Sequence, residues 1–352
     1  MFQKLKHFIY HSKVIKLRFG LIPKILYGYF NTIVLRRASL RTIEFSLLAE
    51  CNSKCVMCYA SQIKREDDEY LTVSEYADIW KQAEKLGAFS VILSGGEPTL
   101  RKDLLGIISV MNPKNTIFVL VTNSLNMNRE YLKELKKAGV ETIHLSLDSL
   151  DEKKNDEIRG AQGHYKKVLE TISNAKSLGF AVCLSTVIAH NGLNKMREMV
   201  KFAADNQIGI VFSLACVSGN WADEKDVLLT PNEWQSVQDY MKKNPHIRSD
   251  WTINFSMKQE CPGGREKVSI SPYGEVMGCA MNYVSFGNVR KEPLETIWKR
   301  MQNFEHFKKR SPDCLIGVDP DYIEKYIRPL SGMKVPVRID EHPNFLGSKG
   351  HK

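Results

Sequence analysis

Residues 42–60 read TIEFSLLAECNSKCVMCYA, a β-branched and apolar run followed without a break by Cys51, Cys55 and Cys58 in the spacing C-x3-C-x2-C. The run predicts a strand over 42–48, and the cysteines fall on the loop that leaves it. Three thiolates in so short a loop can converge on one point. Four would close a structural zinc site, whereas three leave a position open. On a [4Fe–4S] cluster, three thiolates free one iron for an external ligand. The competing reading is a zinc knuckle that borrows a histidine from elsewhere in the chain.

Working outward, short β-branched runs alternate with longer amphipathic stretches. Strands are predicted at 42–48, 89–93, 116–121, 142–147, 182–188 and 208–214, with helices at 104–111, 129–138, 165–178 and 193–204 between them. A further helix starts at the capping box Thr72-x-x-Glu75, ahead of Tyr76, Ile79, Trp80 and Ala83. Each strand is thus followed by a crossover helix, which makes the fold class α/β with a parallel sheet. Such units roll into a full or partial barrel with functional groups after the strands' carboxyl ends. The second strand ends in Ser94-Gly95-Gly96-Glu97-Pro98, the third in Thr122-Asn123 and the fourth in Ser146-Leu147-Asp148.

The cysteine loop after the first strand and the Gly-Gly-Glu-Pro turn after the second together resemble the radical S-adenosylmethionine (radical SAM) enzymes, over residues 43 to about 219. The resemblance implies a partial (β/α)6 TIM-like barrel. It also implies a [4Fe–4S] cluster on Cys51, Cys55 and Cys58 whose open iron takes S-adenosylmethionine, cleaved by one electron to a 5′-deoxyadenosyl radical that abstracts a substrate hydrogen. By the same resemblance Gly95, Gly96, Glu97 and Pro98 hold the methionine end of the cofactor, with Glu97 accepting from its ammonium group. Asn123, Ser146 and Asp148 then fall where the methionine and ribose portions are held, and the electron donor is a flavodoxin- or ferredoxin-like protein. The family often places an aromatic residue before its third cysteine. Here that residue is Met57, so the adenine contact is expected from backbone and Tyr59.

Beyond the barrel, Cys261-x12-Gly274-x4-Cys279 resembles the opening of the SPASM and Twitch domains, which hold auxiliary clusters. A hairpin over 267–271 and 275–278 and a helix over 294–309 fit that pattern. Only Cys314 follows, so the resemblance implies one auxiliary [4Fe–4S] cluster on Cys261, Cys279 and Cys314, its fourth position open or filled by Asp313, Asp319, water or substrate. Buried thiols are the alternative. Cys183 and Cys216, on or just after predicted strands, read as core residues. The chain then divides into a basic amphipathic extension at 1–41, the barrel at 42–220, a linker and helix at 221–258, the auxiliary-cluster domain at 259–330 and a tail at 331–352.

Of the 352 residues, 43% are hydrophobic and 26% charged, which suits a packed core and excludes a disordered or polytopic chain. Net charge is +10, yet nine Lys and Arg precede the first acid, Glu44, so the remainder is nearly neutral and nucleic acid is not an expected partner. The same segment sets Leu21, Ile22, Ile25, Leu26, Tyr29, Phe30, Ile33 and Val34 on one helical stripe, with Lys24, Asn31 and Thr32 off it. That stripe either packs on the barrel or lies on an anionic membrane surface. Eight cysteines without a cleavable signal sequence point to a cytoplasmic protein, which the second reading of the stripe would place at the membrane's inner face. The expected substrate is a small molecule, lipid or glycan. A peptide or protein maturase and a non-catalytic iron–sulfur or zinc module are the alternatives.

Overall fold

The computed structural model describes residues 19–63, 65, 68–224, 226–244, 247–249 and 260–345. Six parallel strands form its centre: β1 (Thr42–Ser46), β2 (Ser90–Ser94), β3 (Ile117–Thr122), β4 (Val140–Ser146), β5 (Ala181–Ile188) and β6 (Gly209–Leu214). Side chains alternate across a strand, so the register sorts them into layers. Phe45, Leu93, Leu120, Ile143 and Val182 align across five strands and are all buried in the hydrophobic core. The adjoining layer, Glu44, Ile92, Val119 and Thr142, turns inward and lines a cavity.

The helices follow the predicted crossovers. Thr72 and Glu75 form the reciprocal capping box of the Val73–Lys85 helix, whose Tyr76, Ile79, Trp80 and Ala83 are buried as the periodicity requires. The Phe45 and Tyr76 rings meet edge to face at 5.1 Å.

The sheet extends further than the sequence indicates. A seventh strand, β7 (Ile247–Ser249), pairs with β6 inside the expected linker. On the other edge β8 (Lys267–Ile270) pairs in parallel with β1 and opens the predicted hairpin with β9 (Glu275–Met277). β10 (Val284–Asn288) and β11 (Val337–Arg338) continue that edge, giving one eleven-stranded sheet ordered β11-β10-β9-β8-β1-β2-β3-β4-β5-β6-β7. The hairpin is therefore an extension of the barrel sheet, and among the described residues β7 and β8 do not pair, so the barrel stays open. The expected tail is packed too: His342 is buried, with its Nε2 3.0 Å from the Tyr326 carbonyl.

At the opposite, N-terminal end of the strands, helix α1 (Ile22–Tyr29) lies under the barrel, with Leu21 and Ile25 against Phe89 and Ile117. Gly28 permits the close approach, since a Cβ there would come within 2.8 Å of Arg41 Cδ. The expected stripe is split: Leu26, Phe30 and Val34 face solvent, while Asn31 and Thr32, expected outside, are buried.

Candidate active site

The cysteine loop is strapped from three sides. Leu47 N–H donates to Ser94 O, Gly96 N–H to Leu48 O and Glu97 N–H to Glu50 O, which zips the Gly95-Gly96-Glu97 turn to the backbone leading into Cys51. A Cβ on Gly96 would sit 2.0 Å from Glu50 O, and Gly95 has φ +128°, so these glycines are required by the neighbouring chain before any cofactor is considered. From the second side, Val56 N–H donates to Ile158 O and Ser53 Oγ to Arg159 O, with Gly160 seated on Lys54. On the third, Asn220 donates to Cys58 O through its backbone and to Cys55 O through Nδ2. Gly219, with φ +61°, packs so tightly that a Cβ would lie 1.9 Å from Cys58 O.

Donors surround the thiols. Asn123 Nδ2 lies 3.6 Å from Cys51 Sγ and Arg159 Nη1 3.8 Å from Cys55 Sγ. Burial pushes the Cys51 thiol up to about 11, with the Glu97 carboxylate and the other two cysteines adding to it, and burial together with Cys55 raises Cys58. Beyond the charge of Arg159, a bound metal centre would supply the positive charge that three adjacent thiolates need.

Glu97 is buried. Its Oε1 accepts from Thr122 Oγ1 at 2.7 Å and Thr99 Oγ1 at 2.7 Å, and its Oε2 from Asn123 N–H at 2.7 Å. Burial raises its pKa against these donors, and among the described residues no cation pairs with it. A carboxylate of this kind on a cavity wall fits an ammonium group, whose charge would offset the burial.

The other expected cofactor residues divide. Ser146 lines the cavity, as do Gly95, Gly96, Asn123 and Tyr59, whereas Pro98 only starts the turn behind Glu97. Tyr59 carries its phenol inward beside Ser94 and Glu44, deep in the barrel, and so is not arranged as an adenine platform. Asp148 does not face the cavity: it pairs with Arg159 and with Lys195 Nζ at 3.2 Å, and accepts from Val187 N–H. It reaches the site only through Arg159.

The cavity, of about 370 Å³, runs from this loop to the barrel floor, and Cys51, Cys55, Cys58 and Cys279 all line it. Its largely apolar walls carry polar side chains at several inward positions, including Thr42, Ser90, Ser94, Thr142, His144, Ser185 and Ser213. Lys267 Nζ pairs with Glu44 Oε2 at 2.6 Å inside it. Cys216, read from sequence as core, also lines the cavity, with Sγ 3.0 Å from Ser218 Oγ, while Cys183 is buried in the wall against Gly209.

Cys261 is near enough to disfavour the Cys279 thiolate, and Tyr322 feels both. Cys261 N–H donates to Ser311 O, which ties its loop to the segment carrying Cys314. Asp313 Oδ1 is held by Trp234 Nε1 at 2.7 Å and Gln238 Nε2 at 3.2 Å, and Asp319 Oδ1 caps Tyr322 N–H, so one oxygen of each carboxylate is already engaged. Among the described residues no three Cys, His, Asp or Glu side chains stand close enough to share a single ion. The fit to clusters rests on the strapped loops, the donors aimed at sulfur and the shared cavity.

An open parallel barrel with a three-cysteine loop at the carboxyl end of its first strand defines an iron–sulfur protein that exposes its cluster to a cofactor cavity. The model of the radical SAM superfamily matches residues 46–203 and that of an iron–sulfur cluster-binding domain, SPASM, residues 261–315. The chain belongs to the radical SAM superfamily and is an enzyme that uses S-adenosylmethionine, a [4Fe–4S] cluster and auxiliary iron–sulfur chemistry. It is 26% identical over 306 residues to an AdoMet-dependent heme synthase of Methanosarcina barkeri, covering 79% of this chain and 86% of that one. It is 23% identical over 285 residues to a PqqA peptide cyclase of Rhizobium meliloti, covering 75% and 76%. Among solved structures, Streptococcus suis SuiB bound to its precursor peptide SuiA superposes with TM-score 0.60 at 18% identity, covering 80% of this chain and 69% of SuiB. No helix among the described residues is long and apolar enough to cross a membrane.

Proposed function

We propose that this enzyme abstracts a hydrogen atom from a side chain of a peptide or protein substrate. The observation that carries the reading is the single cavity of about 370 Å³ shared by Cys51, Cys55, Cys58 and Cys279. A substrate side chain entering it would lie between the cysteine loop and Cys279. The relatives agree in part: one is named for a peptide and one structural neighbour is bound to one, while another relative is named for heme. The lipid or glycan reading loses its motive. The helix that suggested it packs under the barrel floor, at the end opposite the cysteine loop.

In this reading Cys51, Cys55 and Cys58 hold the cluster, which when bound supplies the electron that cleaves S-adenosylmethionine. Glu97 fixes the ammonium end, Gly95 and Gly96 offer backbone, and Asn123 and Ser146 lie along the same wall. Cys261, Cys279 and Cys314 hold the auxiliary cluster, with Cys279 presenting it to the substrate cavity. Arg159, buried against Asp148, keeps positive charge on Cys55 and keeps bulk water from that side of the loop.

Anaerobic incubation of reconstituted protein with S-adenosylmethionine and dithionite should release 5′-deoxyadenosine, and a peptide encoded beside the gene should lose hydrogen by mass. Turnover of an iron tetrapyrrole with no change in any such peptide would overturn the substrate assignment.

A further inference from the structure

The helix under the barrel has two faces, and the described residues cover only one of them. Its inner face is fixed: Leu21 and Ile25 pack on Phe89 and Ile117, Lys24 Nζ pairs with Glu84 at 3.1 Å, and the Arg41 guanidinium lies 4.2 Å from the centre of the Tyr29 ring. The helix therefore cannot roll to bury its other side. That side carries Leu26 at 64% exposure, Tyr27 at 65%, Phe30 at 51% and Val34 at 63%. Positions 26, 30 and 34 fall one helical turn apart and form a continuous apolar ridge, which Leu35 widens. Isolated exposed apolar residues are ordinary, but a contiguous ridge on one helix marks a docking surface.

Charge identifies the occupant. Arg36 and Arg37 follow the ridge and are exposed. Arg265 donates to Arg36 O at 3.3 Å and Arg310, itself paired to Glu260 at 3.5 Å, donates to the same carbonyl, which brings two more guanidinium groups and one acid to the end of the ridge. Up to residue 43 the chain has nine Lys and Arg and no Asp or Glu. A second copy of this surface would set like charges against each other, whereas an apolar ridge rimmed by cations matches lipid tails beneath anionic headgroups.

We propose that Leu26, Tyr27, Phe30 and Val34, with Arg36 and Arg37, dock this protein on an anionic lipid bilayer with the barrel floor toward the membrane and the cysteine loop away from it. The enzyme then meets its substrate from the aqueous side. The inference stands apart from the substrate assignment, because it concerns the opposite end of the barrel.

Co-sedimentation of the full-length reconstituted protein with phosphatidylcholine vesicles, with and without phosphatidylglycerol, tests it. Binding is expected only with phosphatidylglycerol and should weaken with salt. It should fall by about tenfold or more in the combined Leu26→Ser, Phe30→Ser, Val34→Ser variant and again in Arg36→Glu, Arg37→Glu. Both variants should keep wild-type iron content and circular dichroism, since every changed side chain is exposed. Absence of phosphatidylglycerol-dependent binding, or binding unchanged in the apolar variant, would overturn the proposal. So would a dimer that the apolar variant splits in protein that ignores vesicles, or capture of an acidic polypeptide in place of vesicles.

Discussion

Arg159 Nη1 lies 3.8 Å from Cys55 Sγ, held there because its Nη2 is paired to the buried carboxylate of Asp148. A cation donating to a cluster thiolate favours the reduced, more negative state. Arg159→Gln should therefore lower the midpoint potential of the barrel cluster, by roughly 50–100 mV for a charge-assisted hydrogen bond. Asp148→Asn should shift it in the same direction by less. Potentiometric titration followed by electron paramagnetic resonance reads both, and an unchanged potential at full iron content would remove the role given to this pair.

Gly219 and Gly163 both have left-handed backbone, at φ +61° and +78°, but only Gly219 has a wall against it. Alanine at Gly163 meets nothing within 4 Å and should cost only the conformational penalty of about 1 kcal/mol. Alanine at Gly219 must push Cys58 O from 1.9 Å and should strip most of the barrel-cluster iron while the far-ultraviolet spectrum stays native. Equal iron in the two variants would show that this strap does not set the cysteine loop.

Glu97→Gln keeps the shape of a side chain that Thr99, Thr122 and Asn123 hold but removes its charge. Loss of a charge-assisted contact of about 1.5–3 kcal/mol predicts roughly ten- to hundredfold weaker binding of S-adenosylmethionine, with unchanged iron. Anaerobic equilibrium dialysis measures this directly. Wild-type affinity in the variant would assign the ammonium group to another partner.

Much of this arrangement is written in local signals. The Thr72 and Glu75 capping box, the six alternating strands and the Cys51, Cys55, Cys58 spacing each lie within a few residues, so period and spacing expose them. What escapes is long-range. Strand β8 sits on β1 because Lys267 reaches Glu44 and the backbones register, and neither residue announces the other. Gly160 and Gly219 look like ordinary turn glycines until the cysteine loop is seen resting on them. Asp148 ends a strand where cofactor residues gather, and only the placement of Arg159 shows that it points into the wall instead. The polar positions inside the barrel are hidden for a related reason: serine and threonine at inward positions carry no weight against the apolar residues that face the helices.

His164 is buried, and Asn155 Nδ2 reaches its Nδ1 at 2.9 Å while Asn155 Oδ1 accepts from Asp148 N–H. Burial first and the Arg159 charge second hold its pKa down to about 4, and burial holds His144 down to about 3. Between those values and the ordinary histidine value near 6.5 the unfolded chain binds the proton and the folded chain does not. Stability is thus complete above about pH 6.5 and declines as pH falls toward 4, by about 2 kcal/mol at pH 5 from His164 alone. Urea unfolding at pH 7 and pH 5 should show this loss, and His164→Gln should shrink it. A pH dependence identical to wild type would mean that His164 is protonated in the folded state.

Of the three cysteines proposed for the auxiliary site, Cys279 is the one that opens on the same cavity as Cys51 and Cys58, whereas burial and Cys261 keep its thiol from ionising unaided. If it ligates the auxiliary cluster, Cys279→Ala should remove roughly four irons per chain and leave the barrel cluster intact. S-adenosylmethionine cleavage to 5′-deoxyadenosine would then survive while modification of the proposed peptide substrate falls by at least about a hundredfold, because the cavity loses the group that faces the substrate. Cys216→Ala is the matched control: its sulfur lines the same cavity beside Ser218 but lies outside the SPASM match, and its iron content should not change. Iron loss in Cys216→Ala with retention in Cys279→Ala would move the auxiliary site to the other side of the cavity and with it the position at which a substrate side chain meets the radical.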